Sequence, residues 1–327
     1  MNDASDVYDK DQHERHKFYR ITNLHNLEIN SSFLVNKMLI SPEVFKCKKR
    51  RISISDFFLR HLLLLVNTSG FHSLKVHEWL ESMPQFVMEN DVVIVMEDGG
   101  IIIKFSKIFP DIGRISSDIQ LFDDNFMGKL LSVSNGQKAL LSTHWELVED
   151  QQYLRELLST TGAAGFVANG SILPRVSGIN DRVLQDGVVP FESPESLTHK
   201  FELRHAGVIL GMLLPAGLTV ITGGGFHGKT TLLKALAFGV YDKIPGDGRE
   251  FVVTPSSSTF IRAEDGRYVS GVNVSAFIEN LPAAANILPS EFSTSAASGS
   301  TSQATNVIEA IEMNCSVLLL DEVLFSY

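Results

Sequence analysis

Leu218-Thr219-Val220-Ile221-Thr222-Gly223-Gly224-Gly225-Phe226-His227-Gly228-Lys229-Thr230-Thr231 is the stretch that decides the fold. Its first five residues are apolar or β-branched and read as a strand. Gly223 to Thr230 then fits the pattern G-x-x-x-x-G-K-[ST], and Thr231-Leu232-Leu233-Lys234-Ala235-Leu236 reads as the helix that follows. Strand, glycine loop and helix in that order make a phosphate loop of the Walker A type. Gly223, Gly224, Gly225 and Gly228 let backbone N–H groups converge on a phosphate where side chains would clash, with Phe226 and His227 between them. The helix N-terminus adds partial positive charge. Lys229 is expected to reach the β- and γ-phosphates, Thr230 to place its hydroxyl on Mg²⁺, and Thr231 to extend the cradle. A glycine-rich turn with a chance Gly-Lys-Thr would explain the loop, but not its matching flanks.

Two downstream stretches support this reading. Val317-Leu318-Leu319-Leu320-Asp321-Glu322 is a buried strand ending in two carboxylates. Four apolar residues in a row suit a central parallel strand covered on both faces. Asp321 is placed to hold Mg²⁺, and Glu322 to polarise an attacking water as general base, as in a Walker B motif. Between the two motifs, Ser298-Gly299-Ser300-Thr301-Ser302-Gln303 opens a helix running from Ala304 to Met313. Small hydroxyl residues and a glycine at a helix N-terminus make an anion site.

Working upstream, residues 1–20 are polar, charged and rich in histidine, and read as a disordered lead-in. Residues 21–160 read as an α+β domain. Alternation from Leu27 to Ile40 predicts strands. Ser53 or Ser55 is a candidate cap for a helix through Phe57, Phe58, Leu62 and Leu65. Val92–Met96, Asp98-Gly99-Gly100 and Ile101–Phe105 predict a hairpin. Ala139–Leu158 predicts a helix with Trp145, Leu147, Tyr153, Leu154 and Leu157 on its apolar side. Residues 161–200 are rich in glycine, proline and turn formers and read as a connecting segment or functional loop. From 201 to 327 the order strand, glycine loop, helix, strand predicts an α/β core with a largely parallel sheet.

Composition narrows the class. The chain has 327 residues, 44% apolar and 20% charged, as in ordinary globular proteins. Lysine plus arginine is 28 against 38 aspartate plus glutamate, a formal net charge of −10. That balance opposes a surface coated in basic charge for nucleic acid, though it allows a local patch. Lys46, Lys48, Lys49, Arg50 and Arg51 form such a patch and are a candidate RNA contact, with Arg175, Arg182 and Arg204 adding charge further on. The read alternative for this run is a solvated basic loop. Cys47 and Cys315 are far apart, with no metal-ligand spacing, and point to a reducing compartment. No apolar run reaches the ~18 residues of a membrane span, and the acidic N-terminus lacks the features of a signal or presequence. An intracellular, soluble protein is expected, in the cytoplasm first and an organelle second.

Gly223–Leu233, Gly239–Glu250, Ile261–Arg267 and Ala297–Ala304 together resemble the predicted ATPases of the ABC class, a soluble family distinct from the membrane transporters. Asn169–Arg175 and Val189–Pro194 share the likeness, which is strong from about Glu149 to Glu322 and weak before it. The resemblance implies a P-loop NTPase fold, an ABC-type nucleotide-binding core behind a family-specific N-terminal domain. It implies ATP and Mg²⁺ as ligands, Lys229 and Thr230 as nucleotide contacts, and Asp321 and Glu322 as magnesium and base positions. Ser298, Gly299, Ser300 and Gln303 become a signature that contacts the nucleotide of a second copy, hence a homodimer through the core. One family member is associated with RNA editing, which makes RNA a partner the resemblance suggests. Ser300 replaces a second signature glycine of the transporter pattern, and His227 lies inside the loop. Glu264 and Asp265 are candidates for the transporter glutamine loop, and Phe201 and Phe191 for an adenine-stacking aromatic. Family members continue well beyond the acidic pair with a switch residue and a further domain. Here five residues follow Glu322, so the core is expected to be C-terminally incomplete.

The leading expectation is an ATPase that closes as a nucleotide-sandwiched dimer. A chain that binds ATP without hydrolysing it, or an RNA-binding ATP-dependent accessory protein, are the alternatives. A guanine-specific enzyme is disfavoured by the lack of an Asn-Lys-x-Asp motif, and a simple kinase has no role for the Ser-Gly segment.

Overall fold

A computed structural model describes residues 19–23, 26–30, 33–68, 92–104, 129–130, 135–278 and 288–321. The chain divides into two compact units. The first contains residues up to Glu149 with Val176–Arg182 and Lys243–Asp247, and the second contains the rest.

The first unit pairs helices with an antiparallel sheet. Its strands are β1 (Tyr19–Asn23), β2 (Asn26–Ile29), β3 (Val93–Val95) and β4 (Ile101–Lys104), in the order β1-β2-β4-β3. Its helices include α1 (Glu43–Lys46) and α2 (Lys48–Thr68). Ile54, Phe58 and Leu62 recur every four residues on α2 and are buried with Phe33, Phe45, Val93 and Ile103. Phe33 and Phe58 meet edge to face at 6.5 Å. The β3–β4 hairpin matches the sequence expectation, with Gly99 at φ 87° in its turn. A side chain there would also press on the Phe45 ring at 2.8 Å. Phe105 lies outside the described residues.

Two local expectations are corrected. Beyond Ile29 the predicted strand pattern gives way to a π-helical turn, Phe33–Lys37. Phe33 and Leu34 are adjacent and both buried, whereas the alternation read from the sequence puts neighbours on opposite faces, one of them outward. The helix begins at Lys48 rather than at Ser53 or Ser55. Ser53 Oγ donates to the Lys49 carbonyl at 3.1 Å, an interior helix bond and not a cap. The basic run is therefore helical rather than loop: Lys46 ends α1, and Lys48 to Arg51 form the first turn of α2. Cations at a helix N-terminus oppose the dipole, and here Arg50 and Arg51 are drawn off. Arg50 grips Glu149 through two bonds of 2.5 and 3.0 Å, and Arg51 donates to the Phe45 carbonyl.

The second unit starts inside α3 (Asn135–Thr161), with Leu154 and Leu158 fully buried. It contains β5 (Gly165–Ala168), β6 (Thr198–Glu202), β7 (Val208–Leu214), α4 (Lys229–Ala237) and β8 (Val252–Val253). Next come β9 (Ser258–Ile261), β10 (Arg267–Val272), β11 (Phe292–Ala297), α5 (Gly299–Glu312) and β12 (Val317–Leu320). β6-β7-β5-β8 is an antiparallel sheet, β10 and β11 pair antiparallel, and β9 and β12 pair parallel. Among the described residues the parallel pairing is thus confined to β9–β12, not most of the sheet as expected.

β5 lies within the glycine-rich stretch after α3, and all four of its residues are buried. Gly211 in β7 is what lets it approach: a Cβ there would stand 2.3 Å from the Val167 carbonyl oxygen. The β6–β7 turn is pinned by Asp150. Its buried carboxylate accepts N–H groups of Arg204, His205 and Ala206 at 2.6–3.3 Å. The Arg204 guanidinium lies 4.5 Å above the Tyr153 ring.

The expected strand at Leu218–Thr222 is absent. These residues are irregular, and Leu218 and Val220 are 93% and 70% exposed. A strand needs an edge to accept its backbone bonds, and among the described residues no strand pairs with it.

Candidate nucleotide site

The phosphate loop and α4 are positioned from behind. Ala235 and Leu236 of α4 are buried in one cluster with Val167, Met212, Leu214, Val252 and Leu319. Leu319 belongs to β12, the strand that ends at Asp321, so the Lys229 helix and the acidic strand share a core.

Gly228 opens α4 with φ 83°, a left-handed conformation that an L side chain adopts only under strain. No side chain caps the first turn, so its N–H groups are open to an anion. Gly223 has φ 149° and Phe226 φ 62°. Phe226 holds that conformation fully exposed, a strain of roughly 1–2 kcal/mol of the kind found at functional loops. The His227 ring lies over Gly224, where a Cβ would come within 3.0 Å of it. Lys229 Nζ donates to the carbonyls of Gly223 at 2.8 Å and Gly224 at 2.6 Å. The ammonium thus points into its own loop. Thr230 is exposed and Thr231 half-buried.

The helix read from Ala304 to Met313 starts earlier, at Gly299, with Ser298 as its N-cap residue. Ser298 is exposed, and its Oγ lies 2.9 Å from Thr301 Oγ1 and 3.4 Å from Ser300 Oγ. Hydroxyls, not backbone, occupy it, and no side-chain cap closes the helix end. Gln303 is buried. Its Nε2 donates to the Asp321 carbonyl at 3.4 Å, which ties α5 to the end of β12. The Asp321 N–H donates to the Ile261 carbonyl at 3.2 Å, continuing the β9–β12 ladder. Glu322 lies outside the described residues.

Other sequence candidates take less site-like places. Phe201 is buried edge to face with Phe166 at 5.2 Å, and Phe191 packs on the core around Leu173. Both are packing residues. Glu264 and Asp265 are exposed in a turn between β9 and β10. In the basic run, Lys46 pairs with Glu43 at 2.7 Å, Arg50 with Glu149 at 2.5 Å and Arg51 with Glu97 at 3.3 Å. The hydrogen bond to Glu149 raises the Arg50 pKa further above its usual value, against the opposing effect of burial. Ser302 and Arg267 make contacts that no local pattern signals, although Ser302 sits inside the serine-rich helix start. Their contacts are 38 and 39 residues away in the chain.

The family model described as ABC_ATPase: P-loop domain matches residues 137–324. The chain belongs to this family. The ABC-class match contains the phosphate loop, α5 and β12, and the fold class is that of an α/β P-loop NTPase. A stretch of 181 residues is 34% identical to an uncharacterized protein of Methanocaldococcus jannaschii, covering 53% of the chain and 40% of that protein. The chain therefore matches less than half the length of this relative. No described helix is long and apolar enough to cross a membrane.

Proposed function

We propose that this ABC-class chain binds Mg-ATP through Gly223–Thr231 and hydrolyses it as a nucleotide-gated dimer. The observation that carries the reading is the left-handed Gly228, which opens α4 with uncapped first-turn N–H groups beside Lys229. Those amides and the Lys229 ammonium suit the β- and γ-phosphates. Phosphate oxygens would compete with the two loop carbonyls that Lys229 now contacts.

The donor set also suits magnesium. Thr230 and Asp321 supply oxygen, the ligand type this hard cation prefers. Among the described residues no cluster of three or more His, Cys, Asp or Glu forms an all-protein cage. A metal here would complete its shell from water and phosphate, as magnesium does in phosphoryl-transfer sites. When bound it supplies neutralisation of phosphate charge. Glu322 is assigned as the base that takes the proton of the attacking water. The open end of α5, with Ser298 and Gly299, is assigned to the nucleotide of a second copy.

Lys229→Ala should reduce Mg-ATP binding below detection by titration calorimetry. Unchanged affinity in that variant would sink the assignment. Light scattering with and without Mg-ATP tests the dimer: a mass that stays that of one chain at saturating nucleotide removes the second copy. Turnover by the wild-type chain separates hydrolysis from binding alone.

A further inference from the structure

The segment from Arg262 to Gly266 joins β9 to β10, and α5 holds it along its length. Ser302 is fully buried; its Oγ accepts the Glu264 N–H at 2.8 Å and donates to the Gly299 carbonyl at 2.8 Å. One turn later, Asn306 Nδ2 donates to the Arg262 carbonyl at 2.9 Å. Arg267 donates to Asn306 Oδ1, and to Glu309 Oε2 at 2.5 Å. The Gly266 N–H donates to the carbonyl of Ala297, the residue before Ser298, at 2.8 Å. At its other end the segment begins after Ile261, whose carbonyl accepts the Asp321 N–H.

A serine hydroxyl that returns to a carbonyl three residues back is ordinary in a helix. Its second bond is not. Ser302 also accepts from a backbone N–H of another segment, so one buried hydroxyl joins the first turn of α5 to the loop leaving β9. The partners are both backbone groups, which makes the join insensitive to what Glu264 carries as a side chain. Removing the hydroxyl would leave the Glu264 N–H without this acceptor.

We infer that Ser302 is a positioning residue. It fixes the Ser298-Gly299 end of α5 to the loop that starts where Asp321 is anchored. The inference rests on the proposed reading of Asp321 and of Ser298 as nucleotide contacts. Ser302 itself touches no nucleotide in that reading. Its effect is on the placement of Ser298, where a displacement of about 1 Å is enough to lower a reaction rate substantially.

The test compares Ser302→Ala with Thr305→Ala in the full chain. Thr305 is equally buried on the same helix, and its hydroxyl bonds within that helix to the Thr301 carbonyl at 2.9 Å. Amide exchange is measured at Glu264 and across Ser302–Ala304, whose N–H groups close the first turn of α5, Ser302 onto the Ser298 carbonyl at 2.8 Å, beside Mg-ATP affinity and turnover. Ser302→Ala should raise exchange at both places about tenfold. It should lower kcat by roughly tenfold and leave the Mg-ATP Kd within twofold. Thr305→Ala should do neither. Exchange across Ser302–Ala304 that stays at the wild-type rate in Ser302→Ala overturns the inference, as does a Thr305→Ala variant that matches it in every readout. The exchange result decides the matter even for a chain that binds Mg-ATP without turnover. Undiminished Mg-ATP binding in Lys229→Ala would instead refute the nucleotide reading, a separate failure.

Discussion

Leu236 near the end of α4 and Leu319 in β12 lie in one buried cluster, so the helix that opens with Lys229 and the strand that ends at Asp321 rest on the same core. Leu236 is 1% exposed. Leu236→Ala is expected to cost about 3 kcal/mol of unfolding free energy, through lost burial and a residual cavity. It should also weaken Mg-ATP binding, because the wall behind both site elements loosens. Urea unfolding and titration calorimetry check the two effects. A variant that loses stability with unchanged affinity would show that this core does not set the site.

Gly228 holds φ 83° where α4 begins. Gly228→Ala forces a Cβ into a conformation that costs roughly 1–2 kcal/mol, although nothing lies within 4 Å of that Cβ position. The strain should be relieved by moving the loop, so the expected result is weakened Mg-ATP binding with a small stability change. Binding at wild-type affinity would mean the left-handed turn is not needed.

The motifs of the site are legible because their signals are local: the glycine loop, the acidic strand and the serine-rich helix start each fit within a dozen residues. Their surroundings are less so. The helix starts at Gly299 instead of Ala304, and the acidic strand is not the central strand covered on both faces that its apolar run predicts: among the described residues it pairs with β9 alone, Leu319 is buried and Leu320 is exposed. The strand at Leu218–Thr222 misled because propensity names a residue's preference and not its partner: Val220 and Ile221 favour a strand that no described edge completes. β5 was hidden for the opposite reason. Gly165-Phe166-Val167-Ala168 is too short and too surrounded by turn formers to stand out, and only the close approach of Gly211 makes it central. The buried polar links were out of reach. Ser302 and Glu264 are 38 residues apart, and no periodicity connects them.

The first unit carries a pH-sensitive cluster. Burial pushes the Asp56 carboxyl up, but hydrogen bonds and charge from His144 and Arg60, each 2.9 Å away, more than offset it and hold the pKa below the usual value. Stability from Asp56 is therefore full above about pH 4 and is lost as pH falls through the lowered value. Burial lowers the His61 pKa, partly opposed by a backbone hydrogen bond at Lys129, so the fold favours its neutral form. That contribution is present above about pH 6.5 and is lost as pH falls toward the lowered value. The urea midpoint should drop between pH 7 and 5, and the drop should shrink in His61→Gln. An identical slope in the variant would remove His61 from the account.

Arg155 on α3 ties the segment after α4 to the sheet. Its guanidinium pairs with Asp242 at 2.9 Å and donates to the carbonyls of Gly239 and Thr254, each at 3.2 Å. Gln152 Nε2 donates to the other Asp242 oxygen at 2.8 Å. The Arg155 and Asp242 side chains are 13% and 5% exposed, so removing one charge strands the other where water reaches it poorly. Arg155→Met is expected to cost about 3 kcal/mol, and Asp242→Asn a similar amount. The double variant should cost less than the sum of the two, because the second change removes the stranded charge left by the first. Urea unfolding of the four proteins in the cycle measures that coupling. Strict additivity would mean that the two carbonyl bonds, and not the ion pair, hold α3 to this segment.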